Sequence, residues 1–246
     1  MGRVFLVLSI IFMLLVRCNV PKVKLTNLVD PDIVLVNFEE LDRASIANLL
    51  LRIDSSAPAL IAIDAYFSNE KEFGKDSALI NALRTVENDI LIYSIIDNEK
   101  KYSHFKFRKY ITDEGLNVFE VVNGLTTNMT PVSKIDNEEH ELFPLKIVRH
   151  WKPSYAHKFK TNESIPIAYS RTINQFYHFN ASDMNSVEPG ILKGKIVLIG
   201  YLGPGKEDKY FTPLRLVKDY PENEPDTYGP VIVANAIRTI LNYDTK

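Results

Sequence analysis

The chain has 246 residues, a formal net charge of −2 and 46% hydrophobic residues. That is enough for one large globular domain or two small ones with a buried core, and the near-neutral balance gives no electrostatic basis for binding nucleic acid. One cysteine, Cys18, excludes an intrachain disulfide and any zinc site built from several cysteines.

Met1-Gly2-Arg3 leads into an apolar run from Val4 to Val16, closed by Arg17 and followed by Lys22 and Lys24. Its 13 residues fall short of the roughly 20 needed to span a bilayer and match the hydrophobic part of a secretory signal. No A-x-A cleavage site follows. Residues 1–24 therefore read as a signal peptide or as an uncleaved membrane anchor, with lipid attachment at Cys18 and a buried core helix as further readings. Positive charge on both flanks leaves the orientation open. Residues 25–246 read as a single domain.

Beyond the turn Asp30-Pro31-Asp32, Ile33 to Phe38 reads as a strand. Leu41 to Ile53 carries apolar residues at 41, 46, 49, 50 and 53, the spacing of a helix. Ala59 to Ile63 is a buried strand running into Asp64, Lys75 to Glu87 a helix, and Asp89 to Ile96 a third strand. This strand–helix alternation predicts parallel strands joined by right-handed crossovers. The middle, Asp97 to Pro189, is less regular. Phe105 to Phe107, Val118 to Val122 and Lys146 to Trp151 read as strands, Gly124 to Ile135 as a turn entering an extended segment, and Ser164 to Arg171 as the start of a helix running to Tyr177. Its dense aromatics, among them Tyr155, Phe159, Tyr169 and Phe176, read as packing. Order returns with a strand at Lys195 to Ile199, a proline-rich loop from Phe211 to Asp226, and a helix from Pro230 to Tyr243. The expected fold is α/β: a mostly parallel, Rossmann-like sheet flanked by helices, with an irregular α+β insertion in the middle.

Four segments in this order resemble the CHASE domain, type two (CHASE2), an extracytoplasmic sensor found in bacterial receptors. They are Asp32 to Val36, Ala59 to Phe67 with its strand ending in Asp64, Leu192 to Gly200 followed by Asp208 and Phe211-Thr212-Pro213-Leu214, and Gly229 to Ile237. Val233 stands where the family often has histidine. The resemblance covers about residues 30 to 243, most loosely in the middle third. It implies signal reception outside the cytoplasm, in the periplasm or at the cell surface, without catalysis and without a cofactor. Family members usually continue into further membrane spans and a cyclase or kinase. This chain ends at Lys246, so it reads as a stand-alone sensor or a piece of a longer receptor.

Gly200 to Lys206 satisfies GxxxxGK, the first part of a phosphate-binding loop. Glu207 and Asp208 follow the lysine, where that chemistry needs Ser or Thr, and Pro204 removes an N–H from the cradle, so the segment reads as a tight strand exit. Asp64 and Asp208 both lie just past strand ends, and ligands of open α/β sheets bind at that edge. Asp64, Gly203, Asp208 and Thr212 are thus the candidate ligand-binding residues, with no catalytic residue and no metal assigned. The competing reading has Asp64 capping a turn and Asp208 paired with Lys206 or Lys209. None of His104, His140, His150, His157 and His178 has zinc spacing, and all read as surface residues. The expected partners are an unidentified small-molecule or protein ligand, the membrane through the N-terminal segment, and a second copy in a homodimer. A secreted or periplasmic hydrolase with an acidic sheet-edge site, and a structural interaction domain, are the alternatives.

Overall fold

The computed structural model describes residues 23–97, 99–155, 159–206, 208–217 and 223–243. The N-terminal segment with Cys18, and also Glu207 and His157, lie outside them.

Strands β1 (Ile33–Asn37), β2 (Leu60–Ile63) and β3 (Asp89–Ile96) alternate with helices α1 (Arg43–Asp54) and α2 (Phe73–Thr85). β4 (Glu99–Lys101) turns back antiparallel on the end of β3. Helix α3 (Phe105–Arg108) leads to β5 (Asp113–Leu116), which pairs parallel with β3. There follow β6 (Glu120–Val122), β7 (Leu125–Met129), the hairpin of β8 (Val132–Ile135) and β9 (Glu138–Glu141), helix α4 (Phe143–Trp151) and β10 (Ile165–Pro166). β10, β7 and β6 form a small antiparallel sheet. β11 (Tyr177–Asn180), α5 (Pro189–Leu192), β12 (Ile196–Gly200), the short pair β13 (Lys209–Tyr210) and β14 (Thr227–Tyr228), and α6 (Gly229–Leu241) complete the chain. The main sheet runs β11-β1-β12-β2-β3-β5, and every pairing in that row is parallel.

The strands are continuous apolar runs because both faces of the sheet are covered. Period-two alternation sorts their side chains. Ile33, Leu35, Leu60, Ala62, Ile90, Ile92, Ile196 and Leu198 pack under α4 and α6. Val34, Val36, Ile61, Ile63, Leu91, Val197 and Ile199 pack under α1 and α2. Helix α1 starts where the Asp42 carboxylate accepts the Ser45 N–H (2.8 Å), and α6 starts with Pro230 in its first turn, a position that needs no N–H.

The middle of the chain departs from its sequence reading. Lys146 to Trp151 is not a strand but the end of α4, whose Phe143, Leu145, Ile147 and Val148 are buried against the sheet. Phe105 to Phe107 is helical. The expected helix from Ser164 to Tyr177 is instead β10, a 3₁₀ turn at Ile173–Gln175 and the start of β11. β5 and β11 extend the main sheet on both sides, so the middle supplies part of the core. Phe159, Tyr169 and Phe176 are buried, as read, while Tyr177 is exposed. His140 is not a surface residue: it is buried, with Nδ1 2.8 Å from the Tyr93 hydroxyl.

α4 crosses β5 at Gly115, where an added Cβ would stand 2.4 Å from the Phe143 Cα. Backbone cannot yield as a side chain does, so Gly115→Ala is expected to destabilise the protein by about 2 kcal/mol. A urea midpoint equal to wild type would show that α4 can slide off the strand.

Candidate functional site

The carboxyl ends of the parallel strands form one edge. Asp64 follows β2, and its N–H donates to the Ile199 carbonyl of β12 (2.8 Å), which holds it in the extended line of the strand. Counting by twos from Leu60 and Ala62 places its side chain on the α4/α6 face. Asn117 follows β5 and is tied by its N–H to the Tyr93 carbonyl (2.8 Å). It shares the parity of Gly115, which faces α4. β2 and β5 flank β3, so the two side chains meet over the end of β3, and Asn117 Nδ2 donates to Asp64 Oδ1 (2.9 Å).

Asp208 arrives from the loop before β13. Its carbonyl accepts the Gly229 N–H (3.0 Å) at the start of α6. Its carboxylate lies so close to Gly229 that an added Cβ there would meet Oδ2 at 3.0 Å. The Tyr210 hydroxyl donates to Asp208 Oδ1 (3.3 Å). Gly200 lets α6 settle over this edge: a Cβ there would stand 2.4 Å from Pro230 Cγ and 3.3 Å from Asp64 Cβ.

The result is a cavity of about 130 Å³ whose polar side is Asp64, Asn117, Thr126, Asp208 and Tyr210 and whose apolar side includes Phe119, Val121 and Ile232. Burial pushes the Asp64 carboxyl up to about 8, and the charge of Asp208 adds to the rise. Burial also pushes Asp208 up to about 6, against the hydrogen bond from Tyr210. The Tyr210 hydroxyl itself is raised to about 12, chiefly by burial, then by the two carboxylates. Two acids that resist ionisation in one cleft lack compensating positive charge. Lys206 pairs instead with Glu224 (2.8 Å), and the Lys209 ammonium sits 4.6 Å from the centre of the Tyr228 ring. Among the described residues no basic side chain pairs with Asp64 or Asp208.

Of the four residues singled out by sequence, Asp64 and Asp208 share this cavity, while Gly203 and Thr212 lie outside it. The Gly203 carbonyl accepts the Tyr228 hydroxyl (3.0 Å). Thr212 is fully buried and bonded through N and Oγ1 to Asp226 (2.9 and 2.6 Å), which pins the loop before a 3₁₀ turn at Pro213–Leu216. Asn117, missed in the sequence, carries no motif and reaches the site only through the pairing of β5 with β3. A larger groove of about 510 Å³ opens on the other face of the same edge, beside Phe38, Leu41, Ile46 and Tyr66. Its buried cation, Arg43, is already held by Asp76 and by the Asn69 carbonyl, so it offers less unmet chemistry.

The fold and this edge define a class: an α/β domain with a mostly parallel sheet and an acidic cleft at the carboxyl ends of its strands. The CHASE2 domain model matches residues 31–246, so the chain belongs to the CHASE2 family, a family of extracytoplasmic sensor domains. No curated protein and no solved structure matches the chain. Among the described residues no helix is long and apolar enough to cross a membrane.

Proposed function

We propose that the chain is an extracytoplasmic sensor, held at the membrane by its N-terminal segment, that binds a small molecule in the Asp64–Asp208 cavity without turning it over. The observation that carries this reading is the cavity itself: two desolvated acids with no cationic partner among the described residues, beside the first turn of α6. No Ser, Cys or His nucleophile or base lines it. α6 also offers a route outward. From Gly229 at the cavity it rises roughly 14 Å to Arg238, whose guanidinium grips Asp30 and Asp32 at the entry to β1. That entry is where the chain arrives from the N-terminal segment, so a ligand that shifts α6 acts on the tether.

The test is thermal unfolding of the full chain against metals, nucleotides, sugars and amino acids. A ligand at about 100 times its Kd stabilises by roughly 2.7 kcal/mol. A hit lost in Asp208→Asn, with the ligand recovered unchanged, is the expected result. A hit unaffected by Asp64→Asn and Asp208→Asn moves the site elsewhere. Two carboxylates with raised proton affinity are also the equipment of acid–base catalysis. Consumption of the ligand by wild type, abolished in Asp64→Asn, would establish the hydrolase reading instead.

A further inference from the structure

The hydrogen-bonding groups of the cavity are lopsided. Asn117 uses Nδ2 on Asp64, and its Oδ1 is buried with no partner among the described residues. The Tyr210 hydroxyl is directed at Asp208 Oδ1. Among the described residues Asp64 Oδ2 and Asp208 Oδ2 receive no donor either. Acceptors on three different elements thus adjoin a space that, among the described residues, no basic side chain lines, with the Thr126 hydroxyl as its one further polar group. An anion would be repelled here once the two acids ionise. The partial positive charge at the start of α6, about half an elementary charge, lies beside Asp208 and favours its carboxylate form without cancelling two carboxylates.

Opposite these acceptors, Phe119, Val121 and Ile232 present apolar surface. A divalent cation such as calcium takes 6–8 oxygen ligands and gains nothing from that wall. An ammonium group has three N–H donors and no acceptor. We propose that the cavity binds a small primary alkylammonium, its three N–H groups donating to Asp64, Asp208 and Asn117 Oδ1 and its alkyl chain lying on Phe119, Val121 and Ile232. This rests on the reading of the sheet edge as the sensor's ligand site and names the class of ligand.

The test is calorimetric titration of the full chain with n-butylammonium, n-butanol, butyltrimethylammonium and calcium or magnesium ions. Saturable binding of n-butylammonium alone is expected, weakened at least tenfold in Asp208→Asn and in Asn117→Leu. Equal binding of butanol would show that only the alkyl chain is recognised. Binding of the trimethylated cation with equal affinity would show that N–H donation is not used. Metal binding without amine binding would make this an ion site. Each of these three results overturns the alkylammonium class yet leaves the sheet edge as a ligand site. Amine binding that survives both substitutions places the amine elsewhere and overturns the proposal. Absence of amine binding overturns it too, and if the wider panel of ligands also gives no Asp208-dependent hit, the sensor site falls with it. The four-ligand comparison uses the unmodified chain, so it decides the question even where a variant fails to fold.

Discussion

Replacing Arg238 by leucine is expected to cost about 3 kcal/mol of folding stability, among the largest losses available to a single substitution. Asp30 has no exposed surface, and Arg238 is 14% exposed. Nε donates to Asp30 Oδ2 (2.6 Å), and Nη2 reaches both Asp30 and Asp32 Oδ2 (2.8 Å). Arg171 adds a weaker ion pair to Asp30 (3.2 Å). Asp30 Oδ1 in turn accepts the N–H groups of Asp32 and Ile33, both at 3.0 Å, and so sets the start of β1. Leucine fills part of the space but leaves the buried Asp30 carboxylate with only the weaker Arg171 pair. The damage is then in the under-compensated buried charge more than in the lost attraction. Arg238→Leu/Asp30→Asn is accordingly expected to be more stable than Arg238→Leu alone, by about 1 kcal/mol or more. Urea unfolding of the single and double variants measures this. If the double variant is the less stable, the cost lies in the packing of α6 rather than in Asp30.

The protein is expected to lose stability as the pH rises from about 4 to about 8. Burial raises Asp64 to about 8, Asp89 to about 6 and Asp208 to about 6, and it also raises Asp54. An acid whose folded value lies above its unfolded value of 3.8 binds its proton more tightly in the native state. Its contribution is present below the unfolded value and is lost as pH climbs through the folded one. Asp89 is the clearest case. It has no exposed surface, its Oδ1 accepts the Thr112 N–H (2.9 Å), and its Oδ2 is buried without a partner. A rise of roughly two units corresponds to about 3 kcal/mol of stability lost between pH 4 and pH 7. Asp89→Asn keeps the acceptor for Thr112 and cannot ionise, so it is expected to unfold later than wild type at pH 7.5 and to flatten this part of the profile. Asp64→Asn is expected to remove the part that extends to pH 8. Chemical denaturation at half-unit pH steps checks both. A wild-type profile that rises toward pH 8 would contradict the burial assigned to these groups.

Under the proposed reading the raised acids would connect stability with ligand reception. Two buried acids lower the stability of the empty protein as they ionise, and a cation bound between them would restore it, so occupancy and folding stability would move together.

The sequence alone determined the parts of the fold whose signal is local. β1, β2, β3 and β12 are largely apolar runs between turn residues, because a strand covered on both faces shows few polar positions. α1, α2 and α6 have apolar residues at helical spacing and were placed to within two or three residues. Asp64 was legible as a candidate because it abuts a buried strand at the carboxyl edge of the sheet, and Asp208 because it follows the glycine-rich exit of the next one; both line the cavity there. The tertiary structure decided the rest. α4 reads as a strand because the short run from Lys146 to Trp151 fits either period, and only its packing over Gly115 and the sheet settles it as a helix. β5, Asp-Glu-Gly-Leu, has no strand preference of its own and exists through its pairing with β3. β11 exists in the same way through β1. Asn117 belongs to the site through that pairing alone, while Thr212 and Gly203, close to Asp208 in the chain, are drawn into bonds elsewhere. Period and composition are properties of neighbours along the chain, so they report the local elements. Sheet order and the meeting of side chains at its edge depend on contacts between residues far apart in sequence, which no local pattern records.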